Sequence, residues 1–159
     1  MKTLKRIVAG LLVVGMMLAV VGCGGEEKTV TMRADMSAEM GLPTTDTMIL
    51  TAKGDTIQTL KEVMEIDMSE LESEQQDAIV ALMDASIVAV AAGIDGVTCT
   101  SKTTNSVYSV EFTIDCTNSA TVKAASEAGL LEIEEGFIDK LSLKRTQDGL
   151  AASGYKVVE

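Results

Sequence analysis

The chain has neither histidine nor tryptophan in its 159 residues. Histidine is the commonest general base near neutral pH and the commonest transition-metal ligand, so its absence removes the usual hydrolytic triads and imidazole-bound metals. Two tyrosines and two phenylalanines (Tyr108, Phe112, Phe137 and Tyr155) are the only aromatic residues, which leaves few stacking faces for sugars or bases. Basic residues are scarce: 13 Lys and Arg stand against 24 Asp and Glu, a net charge of −11. A nucleic-acid partner needs a basic footprint and is excluded. Proline occurs once, at Pro43. The chain has no G-x-S-x-G elbow, no glycine-rich phosphate loop and no D-x-D-x-D-G calcium loop. Among the paired carboxylates, no spacing singles out an acid and a base. No catalytic residue, metal or cofactor is therefore expected, and the chain does not read as an enzyme.

The N-terminus carries a clear pattern. Lys2, Lys5 and Arg6 precede an uncharged, mainly apolar run from Ile7 to Val21, and Val20-Val21-Gly22-Cys23 follows as a lipobox. A cationic tip, an apolar core and small residues at the cut make a secretory signal. The core is shorter than the ~20 apolar residues of a membrane span. Residues 1–22 are thus expected to be a cleaved lipoprotein signal peptide. Cys23 is the expected lipidation site, 23–28 a lipidated tether, and 29–159 a single domain. Two acyl chains suit stable anchoring, because one alone binds only marginally. The membrane is then a partner through the N-terminal lipid, and the location is extracytoplasmic, on the cell membrane. Residue 24 is Gly rather than Asp, so a plasma-membrane retention signal of the Gram-negative kind is absent. Removing the leader takes three basic residues and leaves a net charge of −14. A small ligand, if there is one, would be apolar or cationic.

Periodicity gives the fold class. Lys28–Ala34 alternates as a strand, and Asp35–Asp46 reads as a loop. Thr47–Lys53 and Thr56–Ile66 form a hairpin across Gly54-Asp55, with Gly54 suiting a type II′ turn. Leu60, Val63 and Met64 break the alternation of the second run, which suggests a bulge. Ser69 and Glu72 have capping-box spacing ahead of a helix ending near Ala92. Gly96–Lys102 and Val107–Cys116 form a second hairpin across Thr103–Ser106, closing near Thr104-Asn105. Asn118 or Ser119 caps a helix to about Glu132, Glu134–Asp139 is a turn region, Ser142 caps a last helix, and Tyr155–Val158 closes as a strand. The order βββ-α-ββ-α-α-β predicts an α+β fold: a mostly antiparallel sheet built from hairpins, with helices packed on one face.

The segments TAKGDTIQTL, IDGVTCTSKTTNSVYSVEFTID and LSLKRTQDGLAASGYKVVE resemble the YehR-like bacterial lipoproteins, small lipid-anchored domains of unknown function. The resemblance covers nearly the whole mature chain. It implies an α+β fold and an extracytoplasmic address, and it supplies no catalytic residue. The chain departs from the pattern in its very apolar first helix and its two interior cysteines.

Three further features invite a reading. Cys99 and Cys116 form either two small buried hydrophobes or an exported disulfide, with metal binding a poorer third option. The hairpin register opposes the bridge: Cys99 should face Val110 or Glu111, roughly 17 Å from Cys116, and a disulfide needs Cα atoms within ~7 Å. The helix over Ala78–Ala92 is apolar on nearly every side. It is either a buried core helix or one that offers a partner-contact surface. Its solvent stripe is expected to run Glu70, Glu74, Asp77, Ala81, Asp84, Val88, with Ala81 and Val88 as candidate contact residues. Glu132, Glu134, Glu135 and Asp139 read as a solvated acidic turn rather than a calcium site. Together these features predict a lipid-anchored, non-catalytic binding or interaction module. The alternative is a structural envelope lipoprotein with no small-molecule ligand.

Overall fold

The computed structural model describes residues 25–131 and 140–158. Strand β1 (Glu27–Asp35) leads through a one-turn helix α1 (Ser37–Met40) into β2 (Thr44–Lys53) and β3 (Thr56–Asp67). Helix α2 (Ser73–Met83) runs through a π-helical turn (Asp84–Val88) into α3 (Ala89–Ala91). Then come β4 (Val97–Thr104), β5 (Val107–Asp115), α4 (Ser119–Glu127), α5 (Leu143–Ala152) and β6 (Lys156–Val157). The strands form one antiparallel sheet in the order β4-β5-β3-β2-β1-β6. This is the expected α+β architecture, with α1 inserted in the segment read as a loop. β1 begins at Glu27, so the segment expected to be tether contributes two residues to the sheet.

Turn chemistry fixes the two hairpins. Gly54 takes φ +62° ahead of Asp55, consistent with the type II′ geometry that matches strand twist. The ladder slips from Thr51↔Thr59 to Ala52↔Ile57, leaving Gln58 as the extra residue of a bulge. The slip accounts for the broken alternation: Ile57 and Leu60 both face the core. In the second hairpin Asn105 (φ 51°) and Ser106 (φ 63°) are the two turn residues, one position later than expected. Two positive φ values define a type I′ turn.

The helix ends also hold corrections. Ser69 is not the cap of α2. Met68 is fully buried, and its N–H is held by Ser106 O at 2.8 Å, so the chain is still crossing the sheet end at that point. Glu72 caps instead, in a capping box with Gln75. Asn118 caps α4 as expected, but that helix stops at Glu127, where Gly129 (φ 77°) turns the chain away. Ser142 caps α5 by accepting from Arg145 N at 3.2 Å. Asp55 fastens this start to the first hairpin, accepting from Ser142 Oγ at 2.7 Å and from Lys144 N at 3.0 Å.

Cross-strand register sorts side chains into rows on the helix-covered face. One row is Val30–Leu50–Leu60–Ile114–Val97; the next is Met32–Met48–Glu62–Phe112–Cys99; the third is Ala34–Asp46–Met64–Val110–Ser101. Leu50, Ile57 and Ile114 are fully buried with Ala91 of α3 and Val122 and Ala125 of α4. Ile66, Met68, Tyr108 and Val110 form a second cluster under α2. Each fully buried large side chain contributes about 1.5–3 kcal/mol. The opposite face carries Thr29, Thr31, Thr45, Thr51, Thr59 and Thr113 and a half-exposed Lys61–Glu111 ion pair, which adds little.

Gly96 (φ 79°) sits where a Cβ would lie 2.5 Å from Thr121 Oγ1, which itself donates to Asp95 O. Gly129 has a similar φ and open space around it. Gly96→Ala should therefore cost about 2–3 kcal/mol and Gly129→Ala about 1 kcal/mol, read from urea unfolding midpoints.

Candidate functional site

Two acids face the apolar side of the sheet. β2 places Asp46 in phase with Met48 and Leu50, and β3 places Glu62 in phase with Leu60 and Met64. Register puts them on a diagonal, with Asp46 opposite Met64 and Glu62 opposite Met48. Asp46 is only 3% exposed. Tyr155, between α5 and β6, donates its hydroxyl to Asp46 Oδ2 at 2.5 Å. Asp46 Oδ1 has no well-formed hydrogen bond among the described residues, although the Thr47 backbone N–H also acts to lower the carboxyl.

The neighbouring Glu62 carboxyl, when protonated, offers Asp46 a further donor. Burial, and then the Asp46 charge beside it, raise the Glu62 carboxyl to about 8, so it is protonated at neutral pH and bonds to Asp46. Burial also raises Asp46, against the lowering effect of the Tyr155 hydroxyl. Tyr155 is itself raised, first by burial and then by its bond to Asp46. Both carboxyls are raised because two adjacent buried carboxylates do not both ionise readily. Split proton affinities are what an acid–base pair requires. Here, however, Asp46 is sealed from solvent, and Glu62 is half-buried.

A second polar contact lies under the apolar helix. Asp84 Oδ1 accepts from Ser101 Oγ and from Tyr108 Oη, each at 2.7 Å. Burial, with the Asp84 bond second, pushes the Tyr108 phenol up to about 12. Periodicity assigns Asp84 to the solvent stripe; in the structure it faces the sheet. Val88 is also turned inward, half-buried against the Ile66–Tyr108 cluster. Ala81 is exposed as expected, and its exposed companions are Ala78, Leu82, Ala85, Ala89 and Val90, with Leu82 68% exposed. The apolar outer surface is present, but rotated from the predicted stripe.

Cys99 and Cys116 are free thiols. Cys99 lies opposite Phe112, rather than Val110 or Glu111, and Cys116 is four residues further on, roughly 13 Å away at strand spacing. Cys116 is buried, and burial pushes its thiol up to about 11. Burial, and then Asp84, also raise Cys99. Both fit the reading as small hydrophobes. At the β1–β6 edge a shallow open depression is lined by Arg33, Asp35, Thr45, Lys156 and Val157; its Arg33, Asp35 and Thr45 belong to the sheet face opposite the acid pair. Arg33 and Lys156 are direct cross-strand partners there.

Cys23, the signal segment, and Glu132, Glu134, Glu135 and Asp139 lie outside the described residues. Among those described, no three His, Cys, Asp or Glu side chains gather as metal ligands, and no helix is long and apolar enough to cross a membrane.

Comparison with solved structures defines the class: a YehR-like α+β fold. The NMR structure of the Escherichia coli YehR protein matches 85% of this chain and 93% of its own, with a TM-score of 0.63 and 18% identity. The NMR structure of a protein from Streptococcus pneumoniae TIGR4 matches 99% of this chain and 98% of its own, with a TM-score of 0.58 and 13% identity. At these identities the likeness establishes the fold. No family model matches the sequence, and no curated protein does.

The acid pair sets a pH dependence. Because the folded-state value of Glu62 lies above its ordinary 4.5, its contribution to stability is complete below about 4.5 and lost as pH rises through about 8. Glu62→Gln keeps a donor for Asp46 at every pH, so its stability should change less than that of the wild type between pH 5 and 9, as measured by denaturant titration. Tyr155→Phe should cost about 1–3 kcal/mol by leaving Asp46 Oδ2 unpartnered.

Proposed function

We propose that the chain is exported, lipidated at Cys23, and held at the outer face of a cell membrane as a non-catalytic binding or interaction module. The observation that carries this reading is the lipobox, whose Cys23 stands four residues before the first strand in the sequence. β1 begins at Glu27, which leaves Gly24–Glu26 as the link, about 10 Å at full extension. Gly25 (φ 57°) packs onto Gly54, where a Cβ would meet Gly54 N at 2.9 Å. The lipid would therefore sit beside the Gly54 end of the sheet, and that end would face the bilayer.

The exposed apolar surface of α2 and α3 supports the interaction reading, since contiguous apolar patches on soluble domains mark contact sites. The depression at Arg33 and Lys156 carries two cations and one carboxylate, so it suits an anionic group rather than the cationic ligand that net charge alone suggests. The sealing of Asp46 supports a non-catalytic role for the acid pair. It also favours the second reading, a structural envelope lipoprotein in which the pair serves only the fold.

Cells fed labelled palmitate should incorporate it into the wild-type chain, and the protein should fractionate with membranes. Cys23→Ala should abolish both. Equal labelling of the variant, or no labelling of the wild type, would remove the anchor and with it the proposed location.

A further inference from the structure

Strand β4 forms one edge of the sheet and pairs only with β5 among the described residues. Asp115 N donates to Gly96 O, which fixes the alternation: the backbone groups of residues 98, 100, 102 and 104 bond to β5, and those of Val97, Cys99, Ser101 and Thr103 point outward. Val97 N is taken by Ile94 O; no fold partner among the described residues meets the backbone groups of Cys99, Ser101 and Thr103. Natural edges are usually shortened, charged, bulged or covered. β4 is eight residues long, regular, and carries a single charge, Lys102.

The helix above extends this edge. Asp84 reaches Ser101 on β4, while Ile79, Val80, Met83 and Ile87 pack inward on the Ile66–Tyr108 cluster. The helix flank beside Asp84 therefore overhangs the β4 side. At helical spacing that flank carries Asp77 and Ala81, with Ala85 next to them, all exposed. An open ladder and a shelf formed by Ala81 and Ala85, with Asp77 at its end, thus lie side by side.

Charge selects the occupant. In a chain with 24 acids, the segment from Val97 to Val110 has none, and Lys102 is its only charge. Two copies repel least where they meet through this segment. We propose that the chain forms a two-fold homodimer by antiparallel pairing of β4 with β4, joining two six-stranded sheets into one. The outward-pointing residues 97, 99, 101 and 103 are centred on Thr100, so the axis passes there. That register sets Thr98 opposite the partner's Lys102 and Cys99 opposite the partner's Ser101, with no like charges facing. The helices lie on the same face of the joined sheet, and their alanine shelves meet across the axis. Such an interface is isologous and closes at two copies. It does not depend on lipidation.

The test is sedimentation velocity of the chain in mild detergent, combined with oxidative cross-linking in intact cells. The wild type should sediment as a dimer at micromolar concentration. Thr103→Pro removes one outward N–H without touching the β5 ladder, and Ala85→Glu places a charge on the shelf; each should weaken association about tenfold or more. At a non-hydrogen-bonded pair Cα atoms are ~4.5 Å apart, so Thr100→Cys should give a disulfide-linked dimer. Thr29→Cys, on the far side of the sheet, should not. If Thr103→Pro fails to fold by circular dichroism, Ala85→Glu and Thr100→Cys still decide. A monomeric wild type, the outcome expected if the edge instead receives a strand of another protein, overturns the proposal. So does a dimer that persists in Ala85→Glu while Thr100→Cys fails to cross-link.

Discussion

One-sided burial of an antiparallel sheet governs this molecule. Because side chains alternate faces, a strand that slips by one residue exchanges its buried and exposed sets. Every local feature of the fold serves to hold that phase. The two tight turns set the pairing of each hairpin. The bulge at Gln58 shifts β3 by one residue, so that Leu60, Met64 and Ile66 face the helices together with Ile57. Asp55, at the tip of the first hairpin, ties down the start of α5 and so fixes the helical layer to the same register.

Much of this was legible in the sequence because it is local. Tyr108, Val110, Phe112 and Ile114 alternate strictly with polar residues, and all four are buried. Asn118 and Ser142 bear their cap signals beside the helices they start. The acid pair was not legible, since Asp46 and Glu62 lie on different strands and no spacing links them. A trace remained in the alternation: carried past the bulge, it places Glu62 between Leu60 and Met64 on the buried face. Ser69 misleads as a cap for α2 because a tertiary contact, Met68 N to Ser106 O, holds that stretch ahead of the helix. Propensity yields to such contacts wherever they are available.

The apolar helix shows the same competition in another form. A regular helix over residues 73–91 would carry Val88 along the outer stripe with Glu74 and Asp77. The π-helical turn begins at Asp84 and rotates only the residues beyond it, Val88 among them, while Asp84 keeps the phase of α2 at the margin of its sheet-facing side. Asp84 then satisfies two hydroxyls that burial would otherwise leave without acceptors, Tyr108 and Ser101. The alanines are left outside. The polar requirement of the sheet thus determines which surface the helix shows to its surroundings.

The course of β1 has a mechanical consequence. The chain enters the domain at Gly25 and passes straight into a strand flanked on one side by β2 along its whole length and on the other by β6 near its far end. Tension applied at the entry point acts parallel to this strand. It must shear a row of ladder bonds at once rather than unzip them in succession, and β6 clasps the far end against slippage. A pull from this end therefore meets the resistance of the whole β1–β2 ladder together.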